Sequence, residues 1–454
     1  MDDSATFQGS RRILTEILGP QATVTFAGRG ELPSAFAVSD LAAASVAAAG
    51  VGVADYLAAF DGAARAVTVD RRLASFWFQA SLFPLGWDPP PIWDAVAGDY
   101  RAADGWIRLH TNAPHHRRAA LGVLGVGADR DAVARVVARR SAAEIETAVV
   151  AAGGCAAAMR TPADWAASPQ GKAVAAEPLI DWRDTGPATM PEGPVDPVRP
   201  LSGVRILDLT RVLAGPVATR FLACLGADVL RIDPPDWDEP AALLEVMLGK
   251  RSVRLDLRDE GDRAIFARLL AGADLLVHGY RPGALDGLGF GAAARRALRP
   301  GLIEVTLDAY GWTGPWAGRR GFDSLMQMST GIADAGMRHY AKDRPFPLPV
   351  QALDHATGYL MAFAALTALA ARRREGRAMQ ARLSLARTAH LLLAHPVEEV
   401  GPAFDRVGEG DFGPAVEETG WGPAKRLAMP LGVENVVLGS PLPARVIGGD
   451  TARW

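Results

Sequence analysis

Two groups of residues in this chain have the types and positions that chemistry requires. One is the acid–histidine pair in "LPVQALDHATGYLMAF", where Asp354 and His355 open an apolar helical stretch. Asp is common at a helix start as an N-cap, because its carboxylate accepts orphan N–H groups of the first turn. The same helix end favours an ionised carboxylate through its dipole, and an ionised carboxylate is a nucleophile. Position alone allows either role. The other group is a series of cations, Arg211, Arg231, Lys250, Arg251, Arg281, Arg319 and Arg320, beside successive strand–helix junctions. A lone Arg or Lys is ordinarily a solvated surface charge. Their recurrence instead suits an anionic ligand with several phosphates, which takes distributed cations together with helix N-termini.

Other chemistries lack their signatures. "LTRVLAGPVA" has no G-x-G-x-x-G, and "LGKRS" lacks the spacing of a P-loop. H-E-x-x-H, G-x-S-x-G and paired C-x-x-C are absent, so metal hydrolysis, nucleotide-driven ligation and serine esterase chemistry lose support, and no metal is expected.

The elements that would position these residues emerge after a proline-rich stretch, "DTGPATMPEGPVDPVRPLSG", which reads as a linker over 184–203. Beyond it, the strands "VRILDL", "DVLRID", "SVRLDL", "DLLVHG" and "LIEVTLDAY" are interleaved with the helices "GPVATRFLACLGA", "EGDRAIFARLLAGA" and "AAARRALRPG". That alternation predicts a parallel α/β sheet with ligands at the carboxyl ends of its strands. Before the linker, the strand "DGWIRLHTN" and helical stretches such as "DAVARVVARRSAAEIETAVVAAGG" predict a smaller α+β module.

A partial repeat links the two halves. A shift of 314 positions lays Pro33 on Pro347, Asp40 on Asp354 and Gly62 on Gly376 without a gap. Each acid precedes a long Ala-rich segment, and each glycine precedes a strand-like stretch. Asp40 is expected to be a structural cap, because no α/β pattern precedes it.

Composition sets wider bounds. With 454 residues, 49% hydrophobic and 22% charged, the chain has a sizeable core and two to four domains. A net charge of −3 makes no electrostatic case for nucleic acid or an acidic membrane surface. Cys155 and Cys224 stand in unrelated contexts, so no disulfide framework is expected and a reducing cytoplasm is. The acidic "MDDSATFQGSRRILTEILGP" is unlike a signal peptide. "LAAASVAAAGVGVADYLAAF" is Ala- and Gly-rich and carries Asp55, which predicts a buried helix rather than a membrane span.

Three stretches carry a resemblance: "PLSGVRILDLTRVLAGPVATRFLACLGADVLRID", "GKRSVRLDLRDEGDRAIFARLLAGADLLVHGYRPGALDGLGF" and "GFDSLMQMSTG". In order and spacing they resemble family III CoA transferases, the formyl-CoA and carnitine-CoA transferase (CaiB/BaiF-like) group, from about Leu201 to Ala386. The resemblance implies an α/β fold, with a Rossmann-like parallel sheet forming a CoA-binding domain beside a smaller α+β domain. It also implies interlocked homodimers, and acyl-CoA and a small carboxylic acid as substrates. The aspartate that follows "Q-x-S-x-G" at a helix start is the family's nucleophile, and it matches Asp354; Asp323 matches a second acidic position. CoA contacts carry over to Arg211, Leu213, Ala214, Lys250, Arg251, His278, Gly279 and Arg320, and Arg281 joins them from the cation series.

The chain also departs from the family pattern. A small-domain-like segment ("DGWIRLHTNAPHHRRA" to "TPADWAASPQGKAVAAEPLIDW") precedes the CoA domain instead of following it, which makes the order look permuted. The expected division is an N-terminal half over 1–183, the linker, a CoA-binding domain with the Asp helix over 204–400, and a tail over 401–454. Nothing matches the glycine loop over the aspartate of formyl-CoA enzymes except weakly "GEGDFG" (Gly408–Gly413). Racemases of the fold carry a His before the acid of "GFD", where this chain has Phe322. The leading expectation is an acyl-CoA:carboxylate CoA-transferase. A CoA-binding subunit whose catalysis has lapsed and, further off, a racemase are the alternatives.

Overall fold

The computed structural model describes residues 7–20, 22–191 and 193–454. The N-terminal part contains α1 (Gln8–Leu18), β1 (Thr25–Ala27), α2 (Val38–Asp61), β2 (Val67–Asp70), α3 (Arg71–Trp77) and β3 (Leu82–Pro84). An α+β module follows, as the sequence predicts. Its sheet consists of β4 (Gly98–Arg101), β5 (Trp106–Leu109) and β6 (Ala156–Ala158), all antiparallel. It carries α4 (Pro114–Leu124), α5 (Arg130–Val137) and α6 (Ala142–Ala151), then α7 (Pro162–Ala167) and α8 (Pro169–Ala176).

β7 (Asp181–Pro187) occupies the first residues of the stretch read as a linker. The correction has a physical cause: β7 pairs antiparallel with a strand of the large sheet, so tertiary pairing overrides its turn-forming composition.

That sheet is built from β8 (Arg205–Leu209), α9 (Ala214–Cys224), β9 (Asp228–Asp233), α10 (Pro240–Val246), β10 (Lys250–Arg254), α11 (Glu260–Ala271), β11 (Leu275–His278), α12 (Ala292–Leu298) and β12 (Ile303–Asp308). After these come α13 (Asp323–Ser329), α14 (Ile332–His339), α15 (Ala352–Glu375), β13 (Arg377–Ser384) and α16 (Leu385–Leu393). The strand order is β10-β9-β8-β11-β12-β13-β7, parallel except for the β7 edge. This is the doubly wound order, which reverses direction between β8 and β11. Ligands of such sheets sit in the crevice outside the carboxyl ends of the strands at that reversal. The site therefore has a predicted place despite the missing glycine fingerprint.

The repeat is structural. α2 and α15 each have 24 residues, and each ends on a left-handed glycine, Gly62 (φ 71°) and Gly376 (φ 63°). Asp40 and Asp354 are both third residues of their helices. After each helix comes a strand whose last residue caps the next helix: Asp70 accepts the N–H of Leu73, and Ser384 accepts that of Arg387. Pairing repeats as well. β1 runs parallel to β2 as β12 does to β13, and β16 (Leu431–Val433) lies antiparallel on β2 as β7 does on β13. The two long helices pack together where Gly52 faces Phe363 and Leu366; a Cβ there would lie 3.1 and 3.3 Å from those side chains.

α2 is apolar and long enough to cross a membrane, yet 78% of its most apolar window is buried inside the protein. The stretch after residue 400 also does more than trail away. β14 (Phe412–Thr419) and β15 (Gly422–Leu427) form a sheet with β3, and β16 completes the β1–β2 sheet. Cys155 and Cys224 are both free and buried.

Candidate active site

Asp354 is the third residue of α15, so the N-cap reading fails: the cap position is Gln351, whose side chain makes no capping bond. The capping carboxylate comes from another helix. Asp323, the first residue of α13, accepts at Oδ2 the N–H groups of Leu353 (2.8 Å) and Asp354 (3.0 Å). Its Oδ1 accepts from Gln327 Nε2, and Gln327 Oε1 in turn accepts the Leu348 N–H (2.7 Å). Gln327 is the glutamine of "Q-x-S-x-G", and its physical task is to hold Asp323 on the α15 terminus. Sequence reading did not give it that role.

The Asp354 carboxylate accepts no hydrogen bond among the described residues and lines a cavity of about 760 Å³. Burial, and then the charge of Asp323, push its pKa well above the carboxylate range. Burial also raises Asp323, against the bonds from Gln327 and the two N–H groups. Two buried carboxyls this close do not both ionise easily. Asp323, with three donors, is the better anion, and protonation of the pair favours Asp354.

The rest of the cavity lies where the topology predicts. Thr210 to Gly215 follow β8, Gly279 to Arg281 follow β11, and Asp308 and Ala309 close β12. α9 begins at Ala214 with no side-chain cap, leaving its first N–H groups for an acceptor. It lies against α15 because residue 358, one turn after Asp354, is glycine: a Cβ there would come within 2.5 Å of the Ala214 carbonyl oxygen. Val212 has φ 65°, a left-handed conformation that strains a β-branched residue by roughly 1–3 kcal/mol. Glu239 holds it there by accepting the Val212 N–H (2.8 Å), and buried Arg231 anchors Glu239 together with Asp233.

The cations divide into two sets. Arg211, Arg281 and Arg320 line the cavity, as do Leu213, Ala214 and Gly279. Arg211 lies between the rings of Trp237 (4.8 Å) and Tyr280 (5.3 Å). Burial and the neighbouring Arg320 lower the Arg281 pKa, so two guanidinium groups face one space that an anion would neutralise. Lys250, Arg251 and His278 lie elsewhere. Lys250 is fully buried, donating to Asp208, Thr219 and the Pro216 carbonyl beneath the β8–α9 loop. Arg251 is held by Asp228, the first residue of β9, and by the Arg453 carbonyl, at the sheet end opposite the crevice. His278 is buried at the end of β11, outside the cavity lining, and neither ring nitrogen has a partner among the described residues. Arg231 is likewise committed, to Asp233 with Glu239, while Arg319 lines the cavity but is held by Glu146. The assignments of Lys250 and Arg251 are corrected because each side chain already has a buried or bidentate partner, and that of His278 because the ring lies outside the cavity lining.

The α+β module supplies residues that the sequence did not point to. Pro114, His115, His116 and Arg118, from the first turns of α4, line the same cavity. They are held in place by His110, which stacks on Phe322 at 3.8 Å, and by the Arg160 N–H bonded to the Met328 carbonyl (3.0 Å). Asp40 is different. Its Oδ1 accepts from Ser10 Oγ (2.6 Å) and Arg71 Nε (2.8 Å), so it anchors an ion pair rather than capping a helix. "GEGDFG" lies away from the cavity, with Asp411 paired to Arg72 and Glu409 to Lys425. Among the described residues no group of three or more His, Cys, Asp or Glu could hold a metal ion.

Part of the chain is similar to known proteins. Residues 201–417 match the model for CoA-transferase family III. A probable fatty acyl-CoA transferase of Mycobacterium tuberculosis is 34% identical over 195 residues, 40% of this chain and 49% of that protein. Acetyl-CoA:oxalate CoA-transferase of Acetobacter aceti is 37% identical over 151 residues, 31% of this chain and 39% of that protein. The crystal structure of a CAIB/BAIF family protein from Brucella suis is 27% identical, covering 50% of this chain and 65% of that one at a TM-score of 0.39. The chain spans about half or less of the length of these two curated relatives. Residues 201–417, which carry strands β8 to β13, the Asp helix and most of the cavity lining, are thus similar to CoA-transferase family III.

Proposed function

We propose that this protein moves CoA from an acyl-CoA thioester to a carboxylic acid, with Asp354 as the nucleophile. The observation that carries this reading is an Asp354 carboxylate that accepts no hydrogen bond among the described residues, in a cavity whose other walls bear Arg211, Arg281, Arg320 and the open N-terminus of α9. Cations suit the phosphates of CoA, and the open N-terminus of α9 offers N–H groups to a phosphate or an oxyanion. An Asp354 oxygen adds to the thioester carbonyl and the C–S bond breaks, giving a mixed anhydride and CoA thiolate. The thiolate attacks the aspartyl carbonyl, releasing the donor acid and leaving an aspartyl-CoA thioester. The acceptor carboxylate then displaces the thiolate to form a second anhydride. Thiolate attack on its acceptor carbonyl gives the new acyl-CoA and restores Asp354. Each step exchanges one acyl link for another, so no ATP is required. Carboxylates are weak nucleophiles, and positioning must supply most of the rate.

The test is to incubate the full chain with acetyl-CoA or succinyl-CoA and trap with hydroxylamine. A hydroxamate at Asp354 is expected, together with loss of transfer to background in Asp354→Asn and turnover within a few-fold in Asp40→Asn. Tight CoA binding with no adduct would favour the second reading, a CoA-binding subunit whose catalysis has lapsed. The placement of "GEGDFG" outside the cavity speaks for that reading. Assembly as a homodimer in the cytoplasm is part of the proposal, and sedimentation of the purified chain tests the oligomeric state.

A further inference from the structure

We propose that His116 binds the carboxylate of the acceptor acid, an inference that rests on the transferase reading above. His116 is the third residue of α4, in the module that precedes the family-matched stretch. It is only 4% exposed, and neither ring nitrogen has a hydrogen-bond partner among the described residues. A buried polar group left without partners is costly, and the cavity it lines is where a partner would sit.

Its position argues for the acceptor rather than the nucleotide end of CoA. The His116 ring meets the Phe322 ring edge-on at 5.8 Å. The next residue, Asp323, holds the Asp354 N–H. His116 is thus on the wall beside the nucleophile, whereas Arg118 and Arg281 are exposed parts of the lining, suited to phosphates. Burial, then His115 and Arg320, lower the His116 pKa to about 3, so the imidazole is neutral and presents one N–H donor. Arg320, which lowers the pKa of both His115 and His116, makes the local potential positive. A carboxylate, which only accepts hydrogen bonds, satisfies both conditions.

The experiment separates the two halves of the reaction in the full chain carrying His116→Leu or His116→Gln. Acetyl-CoA with hydroxylamine reads adduct formation at Asp354, and transfer from acetyl-CoA to oxalate, succinate and glutarate reads acceptor use. In His116→Leu the acceptor KM should rise about 10- to 100-fold, the range for a hydrogen bond to a charged group. Adduct formation should fall by no more than about two-fold on the same scale. His116→Gln keeps a donor and should recover part of the acceptor KM; it also carries the test if the leucine variant fails to fold. An unchanged acceptor KM, or an equal fall in both halves with no change in acceptor KM, would overturn the assignment. A wild-type chain that forms no adduct would overturn the transferase reading and this inference with it.

Discussion

Asp354 and Asp323 show how two identical side chains take different roles from their surroundings. Asp323 accepts two N–H groups and Gln327, while Asp354 accepts none and feels the Asp323 charge. A nucleophilic Asp354 must lose its proton, so kcat/KM should rise with pH through a midpoint above the ordinary carboxylate range. Asp323→Asn keeps an oxygen for the two N–H groups and removes the charge, so the midpoint should move to lower pH. A pH–rate profile reads this, and an unmoved midpoint would separate Asp323 from the titration. The raised pKa also bears on the fold. The proton favours the native state, so this contribution is present below the unfolded value of about 3.9 and is lost as pH rises through the folded one.

The cations make the same point about surroundings. Arg320→Ala should weaken CoA binding by about 1.5–3 kcal/mol in calorimetry, the range for charged hydrogen bonds. Arg251→Ala should leave CoA affinity unchanged, because Asp228 and the Arg453 carbonyl already hold that side chain. Equal losses in both variants would contradict the division of the cations. Sequence reading found Arg320 and Arg251 alike, since position along a chain does not reveal which acid claims a guanidinium. Asp354 was more legible because it opens an apolar helix after "Q-x-S-x-G". His116 and Arg118 were not, because they reach the site through long-range contacts such as the packing of His110 on Phe322.

At the scale of elements, the site depends on two helices approaching unusually closely. α9 brings its open N-terminus to Asp354 because Gly358 has no side chain to hold it off. Gly358→Ala would set a methyl within 2.5 Å of the Ala214 carbonyl and 2.8 Å of Val217 Cβ, both on α9. The strain should cost about 1–3 kcal/mol in thermal unfolding, as overpacked cores do. CoA affinity should fall as well, because the helix end that would bind it is displaced. Destabilisation with unaltered CoA affinity would mean that the α9 terminus does not hold the ligand. The alternation of strands and helices was readable from apolar runs and glycine stops, and β9 falls on "DVLRID" as predicted. β7 was not readable, since its composition is that of a linker and only the β13 edge makes it a strand. The repeat was readable in part. Matched Pro, Asp and Gly gave the helix, while the matching sheets came from pairings that sequence does not show.

The whole molecule is tied together across its sequence order, which bears on whether the family-matched part can stand alone. α2 lies along α15, so removing it would uncover the apolar side of the Asp helix, including Phe363 and Leu366 at the Gly52 contact. β16 and β15 would lose their partners β2 and β3, leaving strand edges unpaired. Gln170 donates to the carbonyls of Tyr310 and Thr313, and Glu177 accepts the N–H groups of Trp312 and Thr313, so the loop after β12 would lose its supports. His115, His116 and Arg118 would vanish from the cavity wall. Residues 201–454 expressed alone should therefore aggregate or, if kept in solution, form no adduct with acetyl-CoA. Size-exclusion chromatography and hydroxylamine trapping measure the two outcomes. Adding residues 1–200 as a separate chain should restore part of the adduct, because the missing contacts are non-covalent. A monomeric 201–454 fragment with full adduct formation would show that the N-terminal half contributes nothing to the nucleophile's site.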